Sequence, residues 1–197
     1  MKRKSITFLG LIVLFILSLS LMIFAKEQVY DFRKTNWGMS KEEVRATEAK
    51  KPDFEANTIL GYKVKVNGKD FRCVYSFLED KLYNSGYFFT GEHTNKNLYI
   101  DDYKELKEIL TKKYGKPKMD IPGLWKNDLY KDDKSHWGMA ISVGHLAYGA
   151  SWETSTTKIS LMLSGDNYKI ELVLSYTSKE LEEWVKQIKE KETSKDF

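Results

Sequence analysis

Residues 31–44, D-F-R-K-T-N-W-G-M-S-K-E-E-V, decide the fold, because the signals that start a helix are complete there. Ser40 can cap the free backbone N–H groups of a helix that follows it. Glu43, three residues later, can reach back to complete a capping box. The sequence therefore predicts that the folded part begins within this stretch and that a first helix covers residues 40–50.

Residues 1–25, which precede this stretch, have the features of an export segment. Three basic residues at positions 2–4 are followed by an almost entirely apolar run at 6–24, close to the ~20 residues that span a bilayer as a helix. Ala25 offers a small residue for cleavage. A cleaved signal peptide and an uncleaved membrane anchor both fit this pattern. Either way, residues 26–197 are predicted to be exported, as a secreted or membrane-anchored α+β domain outside the cytoplasm.

The charge of the exported part disfavours a nucleic-acid partner. The whole chain carries +4, but without the three basic residues at positions 2–4 it has 29 basic and 28 acidic residues. A nearly neutral domain lacks the basic surface that binds phosphates. Contact with a membrane is expected only through residues 1–25, if they are not cleaved. Cys73 is the only cysteine, so no intramolecular disulfide can form, and we interpret it as a small buried residue.

The clearest hairpin surrounds Asn67-Gly68, a dipeptide typical of two-residue type I′ turns. This turn predicts that Val66 lies opposite Lys69, Lys65 opposite Asp70, Val64 opposite Phe71 and Tyr62 opposite Cys73. The apolar pairs then share one face of the sheet. A third strand is predicted over residues 82–89, after a turn at Glu79-Asp80.

A second helix is predicted to open at Asp101 and Asp102, with a buried stripe of Tyr103, Leu106, Ile109 and Leu110, and to end at Gly115. Residues 125–130 fit an edge strand or an ordered loop.

The second half of the exported part repeats this order of elements. Ser135 can cap a helix over residues 136–144, and strands follow around Tyr148–Trp152 and Ile159–Leu163. A four-residue turn at 165–168 would place Leu163 opposite Ile170, Leu161 opposite Leu172 and Ile159 opposite Leu174. A last helix is predicted to begin at Thr177 with Glu180 and to bury Leu181, Trp184, Val185 and Ile188.

The predicted class is α+β in two layers, with antiparallel meander sheets and helices packed on one face. Helix, three-strand meander and helix occur in that order in residues 37–117 and again in 135–191. Trp-Gly-Met stands at the start of both, at Trp37 and at Trp137. A tandem duplication would explain the repeat.

Several stretches of the chain resemble a family of small exported bacterial proteins of unknown function. They are F-R-K-T-N-W-G-M-S-K-E-E-V at 32–44, L-T-K-K-Y-G-K-P at 110–117, W-K-N-D at 125–128 and the run from Gly144-His145-Leu146 to Ser164-Gly165-Asp166-Asn167-Tyr168. The resemblance implies a fold and a compartment but no activity. The helix-then-meander order is also similar to β-lactamase-inhibitor-protein folds and to small outer-membrane assembly lipoproteins, which are binding or assembly modules.

Five aromatic residues are the candidate binding residues: Trp37, Trp125, Trp137, Tyr148 and Trp152. Large aromatics are most often buried, but two or three that shared an exposed face would make a partner-binding surface. The partner would be a protein or another component of the cell envelope.

No catalytic motif and no metal-ligand spacing is present, so no catalytic residue, metal ligand or cofactor is predicted. The sequence therefore favours a non-enzymatic binding module. The alternative is a metal-assisted hydrolase that uses His136, His145 and Glu153, which requires these side chains to converge on one ion.

Overall fold

A computed structural model describes residues 29–193, so the predicted export segment at 1–25 lies outside the described residues. Within residues 29–193, no helix has the length and apolar character needed to cross a membrane. The helices are α1 (Lys41–Thr47), α2 (Leu98–Tyr114), α3 (Trp137–Ser142) and α4 (Glu182–Thr193), and a short 3₁₀ turn at Lys134–His136 precedes α3. The strands are β1 (Phe54–Ala56), β2 (Ile59–Val66), β3 (Lys69–Leu78), β4 (Lys81–Phe89), β5 (Met119–Trp125), β6 (Leu146–Glu153), β7 (Thr157–Asp166) and β8 (Lys169–Ser178).

All eight strands form one antiparallel sheet in the order β1-β2-β3-β4-β8-β7-β6-β5. The two predicted meanders are therefore joined into a single sheet, because β4 pairs with β8 and brings Tyr87 opposite Leu174. The α+β class is confirmed. The predicted order of helix, three-strand meander and helix is present in the second half, whereas the first half has an additional short strand, β1, between α1 and the three predicted strands. The origin of the two halves by duplication stays a prediction.

The first hairpin has the predicted register at every predicted pair. Asn67 and Gly68 have φ angles of 49° and 78°, as the two central positions of a type I′ turn require. Glu79 and Asp80 also have positive φ and make the predicted turn into β4.

The register predicted for the β7–β8 hairpin is wrong by two residues. Leu163 lies opposite Leu172, not Ile170, and Gly165 takes the place opposite Ile170. The chain reverses at Asn167 and Tyr168, whose φ angles of 47° and 66° make a two-residue turn. Since side chains alternate along a strand, a two-residue shift leaves the apolar residues on the predicted face.

The capping box at the start of α1 is confirmed, because the Ser40 hydroxyl accepts from Glu43 N and the Glu43 carboxylate accepts from Ser40 N. The helix ends at Thr47, earlier than the predicted residue 50.

Helix α2 begins at Leu98, earlier than the predicted opening at Asp101 and Asp102. Three residues of its predicted stripe are buried, but Ile109 is 41% exposed, so its place in the stripe is wrong. Gly115 closes the helix with a φ of 82°.

The remaining boundaries agree with prediction only in part. Of the two alternatives for residues 125–130, the structure has the loop, because the edge strand β5 ends at Trp125. Asp133 rather than Ser135 caps the 3₁₀ turn, accepting from Ser135 N at 2.9 Å, and α3 ends at Ser142. Strand β8 continues to Ser178, so α4 starts later than the predicted Thr177, and the Ser178 hydroxyl accepts from Leu181 N at 3.1 Å.

The main core lies on one face of the sheet, beneath α1, α2 and α3. Its large, fully buried side chains come from strands of both halves. They include Leu60, Tyr62, Phe71, Tyr75, Leu82, Ile159, Leu161 and Leu163.

The helices were predicted to pack on one face of the sheet, and α4 departs from this prediction because it covers one end of the other face. Glu182 pairs with Lys158 at 2.5 Å, and the Lys81 ammonium lies 4.9 Å from the centre of the Trp184 ring. Lys158 and Lys81 are next to the core residues Ile159 and Leu82, so their side chains point to the opposite face. The remainder of this face is the open face.

Candidate functional site

The five predicted aromatic residues do not share one exposed face. Tyr148 and Trp152 are in the core, 6% and 2% exposed. The Trp152 indole donates to the Gly115 carbonyl at 2.9 Å, and the Tyr148 ring packs 5.4 Å from that of Tyr103. These two side chains therefore stabilise the fold and are not available to a partner.

The three other tryptophans are half-buried, and only two of them meet. Trp125 and Trp137 pack edge to face with their ring centres 5.7 Å apart. Trp137 also donates to the Lys131 carbonyl at 3.1 Å. Trp37 lies elsewhere and donates to the Thr157 hydroxyl at 2.9 Å. The predicted set thus contributes one aromatic pair and no continuous patch.

Two of the three residues of the hydrolase alternative have ionic partners. The third, His145, packs with its ring centre 5.9 Å from that of Tyr130 and has a buried Nδ1 without a hydrogen bond in the described part of the chain. His136 Nδ1 lies 2.7 Å from the Asp133 carboxylate, and Glu153 forms ion pairs with Lys118 and, at 2.8 Å, with Lys179. Across residues 29–193, no group of three or more His, Cys, Asp or Glu side chains is placed to hold a metal ion. The contacts of Glu153 therefore give the hydrolase alternative no support.

The sequence did not predict the contact between one histidine and a buried carboxylate. His93 Nε2 lies 2.6 Å from the carboxylate of Asp102, which is nearly buried and also pairs with Lys69 at 3.2 Å. The His93 ring stacks on Phe89 and meets Tyr99 edge-on. This cluster ties the loop before α2 to the helix. The spacing of nine residues between His93 and Asp102 gave no signal for it.

Cys73 is fully buried, as predicted, and burial raises the pKa of its thiol to about 12. Because the thiolate is the reactive form, we expect iodoacetamide at pH 8 to leave the folded protein unmodified. The same reagent should alkylate Cys73 rapidly in concentrated urea, as measured by intact mass. Equal labelling rates in the two conditions would show that the thiol is accessible in the folded chain.

A cleft of about 390 Å³ opens on the core side of the sheet, and we call it the tyrosine cleft. Tyr87 of β4, Tyr114 of α2 and Tyr176 of β8 line it, together with residues 29–33 and the turn at 154–157. The loop at 29–33 is fixed because Phe32 packs 5.2 Å from Tyr87 and 5.0 Å from Tyr176, measured between ring centres.

The tyrosine cleft presents hydroxyl donors and cations. Burial raises the pKa of Tyr87 to about 12 and also raises the pKa of Tyr176, so both hydroxyls keep their protons at neutral pH. Arg33 lines the cleft and is held by Glu48 through two bonds, at 2.9 and 3.1 Å. Lys113 is the second cation of the lining.

The open face carries a second candidate site, built from two rows of directly paired residues. One row is apolar: Phe88 lies opposite Val173, and Val173 lies opposite Met162. Phe88 and Met162 are 42% and 51% exposed. We call these three residues the apolar row.

The second row of the open face consists of small residues. Ser151 lies opposite Ser160, Ser160 opposite Ser175, and Ser175 opposite Gly86. A groove of about 390 Å³ runs over the three serines, and Glu182 at the start of α4 lines it as well. The open face is therefore a trough with a floor of small side chains, bounded by the apolar row and by the start of α4.

In comparisons with known protein families, with curated proteins and with solved structures, none matches this chain.

Proposed function

We propose that this chain is an exported, non-enzymatic binding module that holds a protein partner on the open face of its sheet. The apolar row is the observation that carries the proposal. Phe88 and Met162 lie on either side of Val173, in line across three consecutive strands, and both are about half exposed, so the row gives a partner a continuous apolar contact. Interfaces combine such a centre with polar groups around it, and the serine row supplies these.

The edges of the sheet are poor alternatives for docking. Strand β1 has only three residues, and β5 contains Pro122 and an irregular register between Ile121 and Leu124. Short edge strands, prolines and bulges are devices that prevent strand addition. A partner is therefore expected on the face of the sheet.

Charge indicates what the partner carries. The apolar row continues into Arg72, opposite Phe88, and then into Lys63, opposite Arg72. Within residues 29–193, neither Arg72 nor Lys63 forms an ion pair with a carboxylate. The occupant that fits is a protein segment with apolar side chains followed by acidic ones, because complementary charges fix partner choice and register.

Photo-crosslinking in the native host tests this proposal. A photoreactive phenylalanine analogue is placed at Met162 in the full chain, and at Ile109 as the control. Ile109 is on α2, on the other side of the sheet, and is 41% exposed. We expect one dominant adduct with another protein from position 162 and none from position 109. Mass spectrometry should map the adduct to a segment that contains acidic residues.

Charge reversal completes the test. We expect Arg72→Glu to lower the yield of the position-162 adduct about tenfold, the effect of about 1.4 kcal/mol of lost binding free energy. An adduct between two copies of this chain, or equal yields from positions 162 and 109, would overturn the proposal. So would a yield that Arg72→Glu leaves unchanged.

A further inference from the structure

The tyrosine cleft is a separate site from the open face. Tyr87 and Tyr176 are the chain neighbours of Phe88 and Ser175, and side chains alternate along a strand, so the two sites lie on opposite sides of the sheet. The cleft volume of about 390 Å³ lies within the range of small-molecule pockets, roughly 300–1,000 Å³. A protein on the open face would leave the cleft accessible.

The charge that the tyrosine cleft offers to a ligand is positive. Lys113 has no acidic partner within residues 29–193, and its ammonium lies 5.0 Å from the centre of the Tyr114 ring. Asp31 also lines the cleft, but both of its carboxylate oxygens are occupied. One accepts from Trp37 N at 3.0 Å and the other from the Thr156 hydroxyl at 2.5 Å. These hydrogen bonds occupy both oxygens of Asp31 but leave its charge in place, so the cation available to an anion is Lys113, which has no carboxylate partner within residues 29–193.

The remaining lining suits the body of a small organic molecule. Rings of Tyr87, Tyr114 and Tyr176 offer flat apolar surface. The hydroxyls of Tyr176 and Tyr114 are bonded to each other, and that of Tyr87 accepts from Arg33 but can still donate to a ligand. The turn at 154–157 adds serine and threonine side chains to the lining. A few polar groups that converge over an apolar lining are the usual composition of a ligand pocket.

We propose that the tyrosine cleft binds a small carboxylic acid, whose carboxylate pairs with Lys113 and whose body lies against the rings of Tyr114 and Tyr176. Two classes of molecule fit this description. An aromatic acid joins a carboxylate to a flat ring, and a sugar acid joins a carboxylate to a ring that carries hydroxyls.

Four probe molecules distinguish the aromatic acid from the sugar acid. They are 4-hydroxybenzoate, glucuronate and their uncharged counterparts, 4-hydroxybenzamide and glucose. The readout is the indole N–H signal of Trp37 in ¹⁵N-labelled full chain, purified in mild detergent. Trp37 donates to Thr157, which lines the cleft, whereas Trp152 donates to Gly115 and serves as the internal control. We expect at least one of the carboxylates to shift the Trp37 signal in a saturable way, and its uncharged counterpart to bind at least tenfold more weakly. The carboxylate that binds shows whether the ligand is an aromatic acid or a sugar acid.

Lys113→Met should weaken binding of the active probe about tenfold or more, because it removes a charge-assisted hydrogen bond. Lys112→Met is the matched control, since Lys112 is the preceding residue of α2, is exposed and pairs with Glu108 at 2.6 Å. Neither change touches the core. Failure of both carboxylates to shift Trp37, equal binding of the uncharged probes, or equal effects of the two substitutions would overturn the proposal. The outcome is independent of the crosslinking test at the open face.

Discussion

Replacement of Phe32 by alanine is expected to lower the free energy of unfolding by about 3–5 kcal/mol, the cost of removing a buried phenylalanine from a core. Phe32 is only 4% exposed, and its ring contacts Tyr75 of β3, Tyr87 of β4 and Tyr176 of β8. These strands belong to both halves of the sheet, so the cavity would form where the halves meet. Urea denaturation followed by tryptophan fluorescence measures the loss as a lower transition midpoint.

Phe88→Ala is the matched control for this experiment. It removes the same ring from a side chain that is 42% exposed on the open face, and surface substitutions usually change stability by less than about 0.5 kcal/mol. Equal losses for the two variants would mean that Phe32 does not join the halves. Phe32→Leu should retain most of the stability, because it refills most of the cavity.

Replacement of Gly138 by alanine is expected to have the second-largest effect, a loss of about 3 kcal/mol, at the upper end of the cost of overpacking. A Cβ at Gly138 would lie 2.3 Å from the carbonyl carbon of Lys96 and 2.4 Å from the backbone nitrogen of Asn97. Backbone atoms cannot swing aside as a flexible side chain would. The substitution would also disturb the bond at 2.6 Å from Gly138 N to the Asn97 side chain, which joins α3 to the start of α2.

Gly38→Ala provides the comparison, because Gly38 occupies the same place in the first Trp-Gly-Met. It has a φ of 84° and nothing within 4 Å of a built Cβ. We therefore expect only the cost of a left-handed backbone, about 1–2 kcal/mol. Urea transitions of the two variants measure the difference. A larger loss at Gly38 than at Gly138 would contradict the packing argument.

The two hairpins show what the sequence could predict about the fold. Asn67-Gly68 fixes both the turn type and its position, so the register of β2 and β3 followed directly. At the second hairpin the turn residues are Asn167 and Tyr168, and tyrosine rarely takes a positive φ. The sequence places Gly165 in the turn, but it lies in β7, where a Cβ would come 2.5 Å from the Ile141 carbonyl oxygen, so this glycine permits close packing and does not mark the turn.

The candidate sites were harder to predict from the sequence than the fold was. The tyrosine cleft combines Arg33, Tyr87, Lys113 and Tyr176 with the turn at 154–157, and no local spacing links them. Their proximity depends on the pairing of β4 with β8, which neither meander predicts by itself. The apolar row had the same dependence. Tryptophans were candidate binding residues because large aromatic side chains often contribute to interfaces, but Trp152 is a core residue.

The identical Trp-Gly-Met triplets have different structural roles. Trp37-Gly38-Met39 is a loop before α1, and Trp137-Gly138-Met139 forms the first turn of α3. Gly38 is required for its backbone angle and Gly138 for close packing. The repeat therefore lies in the order of the elements, and the triplet alone does not establish structural equivalence.

The central position of β8 has a consequence for biosynthesis. A ribosome delivers the N-terminal half first, and its hairpins need only neighbouring segments to form. Until β8 is made, β4 is an unprotected border strand with unsatisfied N–H and C=O groups. If two chains meet with folded N-terminal halves, they can exchange their C-terminal halves once these are made, each completing the other's sheet.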